Sequence, residues 1–370
     1  MTDGKPESPQ PQPRKSLRRH VRDALMNLLC SRRLPSRAAL RPLYEWQDLP
    51  HRMLPIDDGW PKPARDWFRF YNDIAQNAYA YLVPGLSVLD GRSGFVASGL
   101  RVIRESMPYD SDALVPYPIL PWRAALAGGR EIVEQALSLR DPYELNYFHF
   151  INDVAGKVML AREHLPNQGI RTLIISRALY EQPWFRSMQR MHLFSSMQWR
   201  IQEANEPLVC RDLIVAKSPP HHLPYFEQVV ANAHALVEGR KSPYGERLLL
   251  IRAHAVRNQR IPTNQEALQK RLESQGFTAI DPAALPWEDQ VLALRDCRLL
   301  VGVHGAGMTN FIFRGHQPLS VVEIFPPAKV PPHYYWLATL FGHRYTPIIA
   351  PTDFAVNIDQ VAYVANTCML

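Results

Sequence analysis

Cysteine is scarce in this chain: four in 370 residues, at positions 30, 210, 297 and 368, with no paired spacing. That pattern matches neither a disulfide framework nor a thiolate metal site, and it fits a reducing compartment. Long apolar runs are missing too, since no stretch approaches the roughly 18 residues of a membrane-spanning helix. The basic start leads only into a short apolar patch, Ala24–Cys30, and then Ser31-Arg32-Arg33 instead of a small-residue cleavage site, so no secretory leader is read. Charge of one sign is absent from most of the chain. The total is +7, but the segment from Arg14 to Arg41 holds nine Lys or Arg against Asp23 alone, and the remaining 33 basic and 34 acidic residues sit at −1. A neutral body gives no reason to expect nucleic acid as a partner. Hydrophobic content of 46% with 21% charged residues describes a globular protein long enough for two cored domains.

What is present begins with an arm. Residues 1–13 are polar and proline-rich, a composition that does not pack. Leu17, Val21, Ala24, Leu25, Leu28 and Leu29 then recur at helical spacing with arginines opposite. Such a basic amphipathic helix suits an anionic membrane surface. The alternative is a helix packed on the protein's own body.

Between residues 42 and 145, prolines and aromatics are frequent, and "GLSVLD" and "GFVASGLRVI" suggest strands without a clear order. From about 146 the pattern clears: helix 146–164, strand 172–176, helix near 181–193, strand 212–216, helix 225–238, and linker composition at 239–246. Strand 248–252 follows, then a helix opened by a Thr263/Glu266 capping box and closed by Gly276. "FTAI", a helix from Pro286 to Asp296, "LLVGV" (299–303), "VVEIF" (321–325), an aromatic helix near 334–342 and "YTPIIA" complete the series. Alternation of apolar runs with helices predicts an α/β chain whose parallel sheet is covered on both faces, preceded by a less regular unit of similar type.

"HGAG" follows the strand "LLVGV", where a helix N-terminus and bare backbone suit a phosphate. Gly305 and Gly307 would admit the anion, Thr309 and Asn310 can donate hydrogen bonds, and Glu323 ends the next strand, where it can accept from a ribose. The plain alternative is a tight turn needed for packing. A dinucleotide fingerprint fails because its third glycine is Asn310. A hydrolase oxyanion loop fails because no G-x-S-x-G exists in the chain.

In "NYFHFINDVAGKV", Asn146, His149, Asp153 and Lys157 share a narrow helical arc, with Phe148, Ile151, Ala155 and Val158 opposite. A polar stripe is commonly a solvated face. Here His149 and Asp153, one turn apart, can also hydrogen-bond as a catalytic pair. His221 and His222 could approach the cleft, but loop histidines beside prolines are more often structural, and "PPAKVPPHYYW" (326–336) reads as a lid or cleft wall.

These segments together resemble glycosyltransferase family 61. The resemblance covers roughly residues 140–330 and rests on "GVHGAGMTNFIF" with "VVEIFP", on "EDQVLAL", on "IRAHAVRNQRIPTN" and on "NYFHFINDV". It implies a GT-B-like fold, two Rossmann-like domains facing a cleft. In this chain that means a tail and basic helix over 1–41, an acceptor-side domain over 42–240 and a nucleotide-sugar-binding domain over 241–370. It implies inversion with no obligatory metal or other cofactor. The donor would be a nucleotide-sugar, UDP-linked by expectation, and the acceptor a glycan or lipid-linked molecule of surface polysaccharide synthesis. By the resemblance, the turn from His304 through Gly305, Ala306, Gly307 and Thr309 to Asn310 would hold the diphosphate. Arg252 and Arg260 would face the phosphates, Glu323 would approach the ribose, and Asn146 to Lys157 would lie at the cleft.

A base for the acceptor hydroxyl is then His149 or Asp153, a choice the residues leave open. Two rival readings stand beside this one: a metal-dependent transferase using Asp110 and Asp112, and a non-catalytic nucleotide-sugar-binding protein. With no membrane anchor, the expected location is the cytoplasm of a bacterial-type cell, with the basic arm reaching the inner membrane.

Overall fold

The computed structural model describes residues 40–46, 55–72, 77–98, 101–106, 131–252, 261–327 and 330–368. Arg260, the Asp110/Asp112 motif and the expected basic helix, apart from Leu40 and Arg41, lie outside the described residues.

Two sheets organise the chain. The first has nine strands: β1 (Arg41–Trp46), β2 (Ala78–Leu89), β3 (Val96–Ser98), β4 (Arg101–Ile103), β5 (Ile132–Glu134), β6 (Ala136–Ser138), β7 (Thr172–Ser176), β8 (Gln198–Gln202) and β9 (Leu208–Lys217). They run in the order β4-β3-β2-β9-β6-β7-β8, with β1 added to β2 and β5 to β9. One side of this sheet is parallel, β9-β6-β7-β8, as its βα alternation predicts. The other side, β1 to β4, is antiparallel, which explains why 42–145 resists a simple α/β parse.

The second sheet is parallel throughout: β10 (Arg247–Leu250), β11 (Thr278–Ile280), β12 (Leu299–Val303), β13 (Ser320–Phe325) and β14 (Arg344–Ile349), ordered β11-β10-β12-β13-β14. Chain direction across the sheet therefore reverses between β10 and β12, and a crevice opens outside their carboxyl ends.

The helices are α1 (Lys62–Asn72); α2, continuous through Tyr147–His149, a π turn Phe150–Val154, and Ala155–His164; α3 (Pro183–Met188); α4 (Leu223–Leu236); α5 (Gln265–Glu273); α6 (Trp287–Asp296); α7 (His333–Phe341); and α8 (Ile358–Thr367). Period-2 alternation divides the second sheet's side chains between two cores. Leu249, Val301, Val322 and Ile324 pack under α5 and α8, whereas Leu248, Leu300 and Val321 join α6 and α7. That second core continues through α2 and α4 to Leu137, Leu173 and Ile214 of the first sheet, so one apolar mass spans both.

The capping box does not form. Asn264 occupies the N-cap of α5, and its carboxamide instead exchanges two hydrogen bonds with the Val356 backbone, at 2.9 and 2.8 Å. This ties the helix start to the C-terminal segment. Gly276, at φ +83°, follows the end of α5 in the left-handed conformation expected of it. Among the described residues no helix is long and apolar enough to cross a membrane.

Between α7 and β14, His343 is buried against Phe341, and neither of its ring nitrogens has a hydrogen-bond partner among the described residues. Burial, with Arg314 and His316 nearby, pushes its pKa down to about 4. The unfolded chain takes up a proton near 6.5 that the native chain refuses, so stability falls as pH drops through this window, by about 1.4 kcal/mol per unit from this group. Melting temperature measured from pH 7 to pH 5 should decline, and His343→Phe should flatten the decline. An unchanged slope in the variant would count against this assignment.

Candidate active site

Glu323 stands fourth in β13, a strand whose six side chains are all buried. A carboxylate with no solvent must find donors. Its Oε1 meets His304 Nδ1 at 2.5 Å, and its Oε2 accepts from the Tyr345 hydroxyl. Burial and the adjacent carboxylate hold the Tyr345 phenol well above its ordinary pKa, which keeps it a donor. His304 is stacked on Phe325, with ring centroids 5.1 Å apart. The expectation that Glu323 meets a ribose is corrected: both oxygens are engaged and the group is sealed, so it orients His304.

Gly305 follows in extended backbone, φ 162°, which any residue adopts. Its requirement is space. A Cβ there would stand 1.6 Å from a terminal nitrogen of Arg252, whose guanidinium reaches from the end of β10 and donates to the His304 carbonyl at 3.4 Å. A Cβ on Gly307 would come within 3.2 Å of the Pro282 ring. The bare backbone thus first admits the protein's own arginine and proline. Around them lies a cavity of about 210 Å³, bounded by Arg252, Asp281, Val303, Ala306, Gly307 and Met308. It sits at the crevice between β10 and β12.

Thr309 and Asn310 do not serve this cavity. Both are fully buried in the 3-10 helix Ala306–Arg314. Asn310 accepts from the Tyr147 hydroxyl at 2.6 Å and donates to Gln290 at 2.7 Å, while Trp287 donates to the same Tyr147 oxygen at 2.8 Å. This bridge fastens α2 to the second sheet's helices. The hydroxyl of Thr309 has no hydrogen-bond partner among the described residues.

On α2, His149 Nδ1 and Asp153 Oδ2 are 2.7 Å apart, and Asn152 donates to the other carboxylate oxygen at 2.7 Å. Asn146 is the helix N-cap, its side chain accepting from the backbone N–H groups of Phe148 and His149. The π turn between them frees main-chain carbonyls that the Ser218 hydroxyl meets, at 3.2 Å for Asn152 and 3.0 Å for Asp153. Gly156 makes this approach feasible, because a Cβ would lie 2.6 Å from the Ser218 side chain. The π turn also breaks the 100° count. Lys157, expected on the polar arc, is turned inward to 3% exposure, 3.6 Å from Asp141 and bonded to the Arg140 carbonyl at 3.0 Å. Lys157 therefore does not offer its ammonium to the cleft, whereas Asn146 is exposed and commits only its carboxamide oxygen to the helix backbone.

The N-terminus of α7 links the dyad to the glycine turn. Tyr334 donates to the Gly305 carbonyl at 2.7 Å and packs against Phe148, ring centroids 5.7 Å apart. His333 lies 6.4 Å from the His149 ring and 5.9 Å from His221, which in turn packs on Trp336 at 4.5 Å. Burial, with His304 and His149 nearby, pushes the His333 pKa down to about 3, so it is neutral at physiological pH. His221 holds a left-handed φ of +50°, fixed by its N–H donating to Asn152 Oδ1 at 2.9 Å. From the sequence, His333 is read only as part of a lid or cleft wall, and His221 is set aside as structural. The density of His and aromatic residues in "PPHHLPYF" and "PPHYYW" was the available signal. Among the described residues no group of three His, Cys, Asp or Glu is arranged to hold a metal.

A carboxylate-backed imidazole on α2 and an arginine-seated turn at a strand switch point are thus joined through the first residues of α7. A family model described as Glycosyltransferase 61 matches residues 147–322, from the first residue of α2 to within β13. Over those residues the chain carries a glycosyltransferase 61 domain, and that family indicates a glycosyltransferase. No curated protein matches the chain closely enough to serve as a relative.

Asn310→Ala should leave Tyr147 and Gln290 without a shared buried partner, at a cost of about 1–3 kcal/mol in urea denaturation. Nucleoside diphosphate affinity should persist in the variant. The opposite pattern, full stability with lost affinity, would return Asn310 to the ligand.

Proposed function

We propose that the protein is an inverting transferase of GT-B type that moves a sugar from a UDP-linked donor to a hydroxyl of a glycan or lipid-linked acceptor in surface polysaccharide synthesis. One observation carries the reading: α7 brings the His149–Asp153 pair and the Arg252–Gly305 turn to neighbouring positions, with His333 and Tyr334 between them.

The two candidates for the base take different roles. Asp153 accepts from His149 Nδ1 and from Asn152, which makes it the orienting partner. With Nδ1–H directed at Asp153, the neutral imidazole carries its lone pair on Nε2. Nε2 takes the proton of the acceptor hydroxyl as that oxygen forms its bond to the anomeric carbon from one face. The bond from that carbon to the donor's diphosphate oxygen breaks on the opposite face, and its electron pair leaves with the diphosphate. Attack opposite the leaving group inverts the anomeric centre. Charge developing on the diphosphate falls to the Arg252 guanidinium and to main-chain N–H groups after Gly305. His304, oriented by Glu323, completes the polar side of the turn. The cavity beside Arg252 receives part of the nucleotide.

His149→Ala should lower kcat about 10²- to 10⁴-fold with donor affinity kept, the range for loss of a general base. Gly305→Val should displace Arg252 and remove the thermal shift given by UDP-sugars. Single-turnover assays and thermal shift against a panel of sugar nucleotides check both. Full turnover in His149→Ala, or an undiminished shift in folded Gly305→Val, would defeat the reading.

A further inference from the structure

We propose that α1 carries an acceptor subsite, an aromatic face that binds neutral carbohydrate and feeds it to His149. The inference rests on the transferase reading above and adds the class of acceptor and the residues that hold it. α1 lies outside the family-matched span.

The helix is fixed on one side and open on the other. Ala64, Phe68 and Asn72 are buried, and Phe68 stacks on Tyr335 of α7 with ring centroids 5.2 Å apart and planes 15° from parallel. The same α7 holds His333 beside the dyad, so α1 and the base are positioned by one element. Beside that core Trp67, Phe70 and Tyr71 are in mutual ring contact, at 6.3, 6.1 and 5.6 Å, with Phe70 exposed and Trp67 and Tyr71 half-buried. Phe70 is 59% exposed and forms the solvent edge of this ring cluster.

This face is continuous with the reaction centre. Tyr71 contacts His333 at 5.8 Å and Trp336 at 5.9 Å, and His333 contacts His149 at 6.4 Å. A file of rings therefore leads from solvent to the base. The C–H groups on one face of a pyranose carry partial positive charge and complement the negative face of an aromatic ring, while its hydroxyls stay in water. A path several rings long suits an oligosaccharide better than a single sugar.

Charge separates a carbohydrate from a lipid surface as the occupant. An interfacial helix would offer its cations to anionic headgroups. Here Lys62 pairs with Asp66 at 2.5 Å, and Arg65 and Arg69 lie 3.4 and 3.9 Å from Asp58. Arg65 and Arg69 share Asp58, so three cations stand against two carboxylates and the face carries a small local charge in place of a dense basic stripe.

The test is calorimetric titration of the full chain with xylo-, cello- and chito-oligosaccharides of two to six residues, and separately with phosphatidylglycerol vesicles. Phe70→Ala and Trp67→Ala are compared with wild type and with Tyr363→Ala, an exposed aromatic on α8. Circular dichroism confirms folding, and Phe70→Ala removes little buried surface. At least one series should bind more tightly with length and lose about tenfold in each α1 variant but not in Tyr363→Ala. The UDP-induced thermal shift, read on the same samples, should be equal in all four proteins. Absence of binding by every series, indifference to Trp67 and Phe70, or loss of vesicle binding in place of sugar binding would overturn the proposal. A wild-type protein blind to UDP would instead defeat the donor reading.

Discussion

A buried negative charge organises this molecule. Glu323 lies in the middle of a parallel sheet, where water cannot reach, and such a group persists only with donors on both oxygens. His304 and Tyr345 supply them from the neighbouring strands β12 and β14. The consequence is positional. The imidazole is locked at the strand's carboxyl end, the backbone turns away at Gly305, and Arg252 fills the space that a side chain would have taken. The cavity at the β10–β12 crevice thus has one wall set through a carboxylate that is itself fully buried.

The second organising element is α7. Its first two residues, His333 and Tyr334, touch both halves of the site, and its aromatic face carries α1. Opposite it, the π turn in α2 keeps His149 and Asp153 bonded while rolling Lys157 into the protein. Helices with an inserted residue often mark functional positions, because the freed carbonyls need outside partners and the register shift re-aims side chains. Here the partner is the hydroxyl of Ser218.

Much of the fold was legible because its signals are local. The strands "TLIIS" and "LLVGV" coincide with β7 and β12, and the helices near 225–238 and 286–296 stand within two residues of α4 and α6. Apolar runs of that length between helices have few other ways to be buried. The antiparallel strands before residue 140 were less so, since β2 finds its main partner β9 far along the chain, β3 and β4 are very short, and proline and glycine interrupt the alternation. The Thr263/Glu266 box failed for a tertiary reason: Asn264 next to it finds the Val356 backbone.

The site divides in the same way. Sequence alone determined that a glycine turn closes a buried strand, that His149 and Asp153 share a helix face, and that the chain carries the segments of a glycosyltransferase of family 61. Each of these depends on spacing along one element. Tertiary structure decided what those residues do there. Glu323 backs His304, Asn310 bolts α2 to the second sheet, Gly305 makes room for Arg252, and His333 enters the site from a helix nearly two hundred residues away in sequence. Burial and partner choice settle such roles, and both are properties of surfaces that meet only when distant elements pack.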